Sequence, residues 1–170
     1  MTEKVYDPGD WVVHHNYGLG HIQRIEKKRI GGETQRYYRV KNNDSVFWIP
    51  VETGSKPRVR PIVTKRQLNA ALKEFSKDPE SLSRNYKQRK REIEEAVADG
   101  KLRSACGVIR DLYSWRQQKT FNEHERRIYD TLTKRLLREW SVCAGIKVQE
   151  ARKKLNSLLS KVLDRTPEKA

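Results

Sequence analysis

Apolar positions in the first sixty residues fall in short β-branched and aromatic runs, and from Thr64 onward they recur every three or four residues. The first spacing is that of strands and the second that of helices. WVVHH (11–15), HIQRIEKKRI (21–30), QRYYRVK (35–41) and VFWIP (46–50) read as strands. Between them, NYGLG (16–20) is a turn whose glycines permit positive φ, GGE (31–33) breaks the chain again, and NND (42–44) is a hairpin turn. Four or five strands in so short a span cannot bury two open sheet faces, which predicts a small, strongly bent barrel. Pro50, Pro57 and Pro61 then mark an extended linker that no helix includes.

TKRQ (64–67) opens the helical part as a capping box, with Thr64 accepting from the third helical amide and Gln67 reaching back. Leu68, Leu72 and Phe75 continue the stripe, and KDPES (77–81) ends it. The spacing predicts a second helix from about Ser83 to Asp99, stopped by Gly100 in the left-handed position. A third, from Lys101 to about Gln117, buries Leu102, Ala105, Ile109 and Leu112. A fourth starts at an Asn122 cap with Glu125 three positions on, carries Ile128, Leu132, Leu136 and Trp140, and closes at Gly145. The last runs from about Lys147 to Leu163 on Val148, Leu155, Leu159 and Val162, with DRTPEKA as a frayed tail. Short loops between four or five helices predict a compact bundle.

Charge changes the picture. The 170 residues carry 37 Lys plus Arg against 22 Asp plus Glu, a formal net of +15 that favours a polyanionic partner. Residues 1–63 hold 11 basic and 7 acidic side chains, and residues 64–170 hold 26 and 15, so most of the excess lies in the helical part. No apolar run approaches the roughly 20 residues of a membrane span, and MTEKVYDPGDW lacks the apolar core of a signal peptide, so a cytoplasmic protein is expected. Cys106 and Cys143 are far apart in helical patterns and read as buried thiols. His14, His15, His21 and His124 have no metal-ligand spacing, and NYGLGH lacks the Lys and strand-to-helix context of a phosphate loop. An enzyme is therefore disfavoured, and neither cofactor nor metal is expected.

LSRNYKQRKRE (82–92) concentrates five bases and a tyrosine in three helical turns. At about 100° per residue, Tyr86, Ile93 and Val97 form one inward stripe, and Arg84, Lys87 and Arg91 fall together on a flank roughly 100° to 160° away. The free amides and positive dipole end at Ser83–Asn85 add donors suited to phosphate. A merely solvated face, with Glu92, Glu94 and Glu95 as local partners, is the competing reading. The basic surplus of the whole helical part weighs against it.

GDWVVHHNYGLGHIQRIEKKRIGGETQRYYRVKNNDSVFWIPVET resembles the RNA-polymerase-interacting domain shared by CarD-like bacterial transcription regulators and transcription-repair coupling factors. The likeness rests on GD-x-VV-H, the Gly-rich turn, I-E-x-x-x-I-G-G, the Tyr-rich strand and the closing hydrophobic-Pro-V-E. The helical half is similar to the CarD C-terminal domain in its SR-x-YK, its D-G stop, V-x-RDL-aromatic and the ExE+R helix start. The resemblance covers nearly the whole chain, and the helicase motifs of the coupling factors are absent. The expected architecture is a two-domain α+β chain. A small bent β-barrel of Tudor/SH3-like form with its Pro-containing linker spans 1–63, and a compact all-α bundle of about five helices spans 64–170.

That resemblance implies a transcription regulator whose barrel docks on the RNA polymerase β subunit. Its helical domain would touch promoter DNA at the upstream edge of the bubble through non-specific phosphate and minor-groove contacts, stabilising the open complex. Arg84 and Lys87 match SR-x-YK and Arg126 matches the basic residue of the next helix start, which makes them phosphate ligands beside Arg91 of the same ridge. Tyr86 of the same motif sits on the inward stripe, which points to a core role. The family places Trp just before SR as a wedge at the bubble edge. Here Leu82 stands there, an apolar wedge without indole's stacking face. On the barrel, Lys28 aligns with a basic contact residue and Arg29 lies beside it. Trp48 sits where many relatives carry Arg, as an interface anchor or a packing residue, since Phe47 and Trp48 face opposite sides. A monomer associated with the nucleoid through polymerase is expected. The rival reading is an RNA-binding module that uses Tyr37, Tyr38 and Trp48 as stacking platforms.

Overall fold

Gly31 and Gly32, at φ 64° and 90°, form a two-residue loop whose left-handed pair matches the twist of the strands it joins, β2 (Gly18–Ile30) and β3 (Glu33–Lys41). These elements belong to a computed structural model that describes residues 5–52 and 58–165. The chain divides between Ile62 and Val63 into two compact units. In the first, β1 (Trp11–His14), β4 (Val46–Pro50) and β5 (Val59–Pro61) complete a five-stranded antiparallel sheet of order β4-β3-β2-β1-β5. The NND turn is fixed by Asn42, whose Oδ1 accepts from the amides of Asp44 (3.0 Å) and Ser45 (2.8 Å). In NYGLG the two glycines do different work. Gly18 has positive φ, whereas a Cβ on Gly20 would run into Val40 and Phe47, so Gly20 is required by close approach.

The sheet is open where the sequence predicts a barrel. Closure needs the two outer strands to pair in a staggered register. Here β4 ends at Pro50 and β5 is three residues long and ends at Pro61. Proline offers no donor to a ladder and belongs on such edges. The predicted linker is likewise shorter, because Pro61 lies inside β5, while Pro57 falls outside the described residues. A bulge at Gln23 interrupts the β2–β3 register. One face gathers Val12, Ile22, Tyr38, Val40, Phe47, Ile49 and Val59 around Tyr6 into a single core. Burying each large apolar side chain contributes about 1.5–3 kcal/mol.

In the second unit, α1 (Lys65–Leu72) starts at the Thr64/Gln67 capping box and tightens into a 3-10 turn, Lys73–Ser76. There follow α2 (Tyr86–Val97), α3 (Leu102–Gln118), α4 (Glu123–Ala144) and α5 (Val148–Asp164). The Asn122/Glu125 capping box and the left-handed Gly145 bound α4 as its sequence predicts. Phe75, Ile93, Ile109, Leu112, Leu136 and Leu155 lie in one apolar core. Two predicted core positions are exposed, Tyr86 in the first turn of α2 and Val148, 42% exposed, in the first turn of α5. Among the described residues no helix is long and apolar enough to cross a membrane.

Candidate functional site

On the sheet, strand alternation settles the Phe47/Trp48 choice, for Phe47 is in the core and Trp48 is 40% exposed. The Trp48 ring is held from two sides. Lys28 Nζ lies 3.2 Å from the ring centroid, and Trp48 Nε1 donates to Glu26 Oε2 at 3.0 Å. Glu26 Oε1 in turn accepts from Arg24 Nε at 2.5 Å. The hydrogen bonds from Arg24 and then Trp48 hold the Glu26 carboxyl below its ordinary pKa. Lys28 and Trp48 therefore come together on one face, and Arg29 does not join them: the next residue along β2, it faces the other way opposite Thr34. Glu26 is the member the sequence reading missed. Its signal was present, because residues 24, 26 and 28 of one strand share a face. Tyr38, a proposed stacking platform, is 3% exposed, and its hydroxyl accepts from the Tyr6 amide.

In the helical unit the predicted inward stripe is wrong by one member. The helix begins at Tyr86 rather than Ser83, so Tyr86 stands in its first turn and is 49% exposed. Its place on the inward face belongs to Arg89, 8% exposed and in line with Ile93 and Val97. Arg89 Nε donates to Glu125 Oε1, and Glu125 is 2% exposed. Arg89 Nη1 donates to the carbonyls of Ser83 (3.0 Å) and Arg84 (3.2 Å), and its guanidinium lies 4.6 Å from the Trp115 ring centroid. One buried arginine thus ties the loop before α2 to α3 and to the start of α4. A base inside an amphipathic pattern carries no hydropathy signal, so in the sequence Arg89 looks like one more base of a surface run.

Further contacts fix the same loop. Asp111 Oδ1 accepts from the Glu80 amide (2.9 Å), and Glu92 Oε2 accepts from the Ser83 amide (3.1 Å). Two of the amides predicted to face phosphate, those of Ser83 and Asn85, are therefore engaged: that of Asn85 donates to Ser83 Oγ (3.2 Å), and Asn85 Oδ1 caps Gln88 (3.1 Å). The RDL motif is structural as well. Arg110 donates to Asp111 Oδ1 (2.8 Å) and to the Glu74 carbonyl (3.0 Å), locking α3 to the 3-10 turn.

Arg84, Lys87, Arg91 and Arg126 are all exposed. The Arg89–Glu125 pair brings Arg84 and Arg126 to one end of the bundle, since Arg89 binds the Arg84 carbonyl and Glu125 directly precedes Arg126. Leu82, expected as an apolar wedge, is half-buried and packed against the helical core. Cys106 is buried, with its thiol pKa pushed up by burial, and Cys143 is half-buried; both are free.

The description "CarD, C-terminal domain" matches residues 70–156, and "CarD-like/TRCF RID domain" matches residues 6–63. The chain belongs to the CarD family. SR-x-YK, the RDL motif and the start of α4 all lie in the first matched span, and Lys28 and Trp48 lie in the second. This CarD-family chain is also similar to "Putative transcription factor YdeB" of Bacillus subtilis (strain 168), with 26% identity over 144 residues, 84% of this chain and 94% of that protein. The family is one of transcription factors, and its N-terminal part is an RNA-polymerase-interacting domain.

Proposed function

We propose that this CarD-family chain docks through the Lys28–Trp48 face of its sheet on the RNA polymerase β subunit. Its helical unit then grips promoter DNA at the upstream edge of the bubble, stabilising the open complex. The observation that carries the reading is the grouping of exposed Arg84 and Arg126 at one end of the bundle by a buried ion pair, with Lys87 and Arg91 continuing along α2. Phosphate contacts position a protein without reading sequence. A cationic unit held on polymerase therefore acts at many promoters, and tethering raises its effective concentration at the DNA.

The half-buried Leu82 leaves Tyr86 as the exposed aromatic side chain of SR-x-YK. Tyr86 is the group placed to meet backbone or an unpaired base, with Leu82 supporting the loop from beneath. The test is the salt dependence of binding to a fork-junction duplex. Replacing Arg84 and Lys87 together with Gln should lower the slope of log K against log salt by about two, one for each lost phosphate contact. An unchanged slope refutes the ridge. Equal binding to structured RNA, with no polymerase captured by the full chain, would favour the RNA reading.

A further inference from the structure

Arg116 stands in the last turn of α3, exposed and outside every motif that marks the family resemblance. Its guanidinium carbon lies 5.3 Å from the Tyr113 ring centroid, 5.6 Å from that of Phe121 and 5.2 Å from that of Tyr129. Three rings drawn from α3, the loop and α4 therefore brace one cation. Phe121 and Tyr129 also pack on each other, with centroids 5.5 Å apart, so the brace is itself fixed. Among the described residues no carboxylate forms an ion pair with Arg116. Two acids at the start of α4 are already engaged, Glu123 by Arg127 (2.9 Å) and Glu125 by Arg89.

The position is as informative as the brace. Phe121 immediately precedes the Asn122 cap of α4, and Tyr129 lies three residues beyond exposed Arg126, on neighbouring turns of that helix. Trp115, next to Arg116, stacks on the arginine that binds the Arg84 carbonyl. Arg116 thus stands at the same end of the bundle as Arg84 and Arg126. A guanidinium stacked on rings keeps its N–H edge for a planar, bidentate phosphate contact, and pre-ordering lowers the entropy lost when that contact forms.

We infer that Arg116 is a further DNA phosphate ligand, presented by the Tyr113–Phe121–Tyr129 brace and extending the Arg84–Arg126 ridge onto α3. This rests on the reading of the helical unit as a DNA grip. A purely structural Arg116, complementing the α3 dipole, would affect stability and leave nucleic-acid binding alone.

The test titrates salt against binding of the full chain to a labelled fork-junction duplex. Arg116→Gln should lower the log–log slope by about one, with the thermal unfolding midpoint nearly unchanged. Arg116→Lys should keep the slope and bind more weakly. Tyr113→Leu, which removes no charge, should keep the slope and lose about two- to fivefold in affinity, the worth of an exposed cation–π contact. Slopes lowered by Arg84→Gln and Lys87→Gln but unchanged by Arg116→Gln would overturn this inference alone. Slopes unmoved by all three would overturn the DNA grip itself. If Arg116→Gln unfolds the unit, unweakened binding by both Arg116→Lys and Tyr113→Leu would refute the proposal.

Discussion

On the sheet, Lys28 lies 3.2 Å from the Trp48 ring centroid with the ring 40% exposed, whereas in the helical unit Arg89 lies 4.6 Å from the Trp115 centroid and is 8% exposed. The same pairing of cation and indole serves opposite ends. On the sheet the tryptophan is the presented group, and Lys28 and Glu26 hold its ring in one orientation. In the bundle the stack is internal, and what it presents is the set of cations around it. The environments explain the difference. Arg89 has a buried carboxylate, two carbonyls and a ring to satisfy its donors, so it can leave water. Lys28, half-buried on the sheet face beside the Trp48 ring, keeps contact with solvent.

The largest expected effect breaks the internal stack. Arg89→Ala removes one partner of a buried pair and should lower the stability of the helical unit by about 3–5 kcal/mol in urea unfolding, with Arg89→Met/Glu125→Leu recovering part of the loss. A cost below about 1 kcal/mol for the single change would show that the pair does not hold this end of the bundle together. Next, Trp48→Ala should weaken capture of the polymerase β subunit by about 2 kcal/mol, as removal of a central aromatic anchor does, and leave DNA binding by the helical unit unchanged. Equal losses of both activities would mean that Trp48 is structural. Lys28→Ala, which frees the ring without removing it, should weaken capture by about 0.5–1 kcal/mol.

The smallest effect is a pH dependence of the Glu26–Trp48 contact. Arg24 and Trp48 hold the carboxyl below its ordinary value, so their contribution is complete above about 4.5 and is lost as pH falls through the lowered value. In a chain with Trp48 as its single tryptophan, fluorescence should stay constant down to pH about 4.5 and change below it. The Glu26→Gln version of that chain should lose the transition. A transition unaffected by Glu26→Gln would belong to another group.

Much of this molecule is legible in its residues because its turns and caps are local chemistry. Thr64/Gln67, Asn122/Glu125, Gly31–Gly32 and Asn42 each act on neighbours a few residues away, and each appears where its spacing puts it. The misses over Arg89 and the barrel are long-range, and that over Tyr86 is local. Arg89 reads as a surface base until Glu125, 36 residues on, supplies its partner. Tyr86 reads as core because a wheel drawn from Ser83 ignores Asn85, the residue that starts the helix. The predicted barrel rests on strand count, whereas closure depends on whether β4 and β5 meet, and Pro50 and Pro61 end both strands at the edges. Arg116 carries no signal in its own surroundings, since its three rings are assembled from two helices and a loop.

The lifetime of a promoter open complex, measured after competitor challenge with and without this chain, tests the central claim most directly. At saturating protein the native chain should lengthen it. Trp48→Ala should need a higher concentration to reach the same lifetime, and Arg84→Gln/Lys87→Gln should fall short at any concentration. A lifetime unchanged by the native chain, or lengthened equally by the Arg84→Gln/Lys87→Gln chain, would contradict the account.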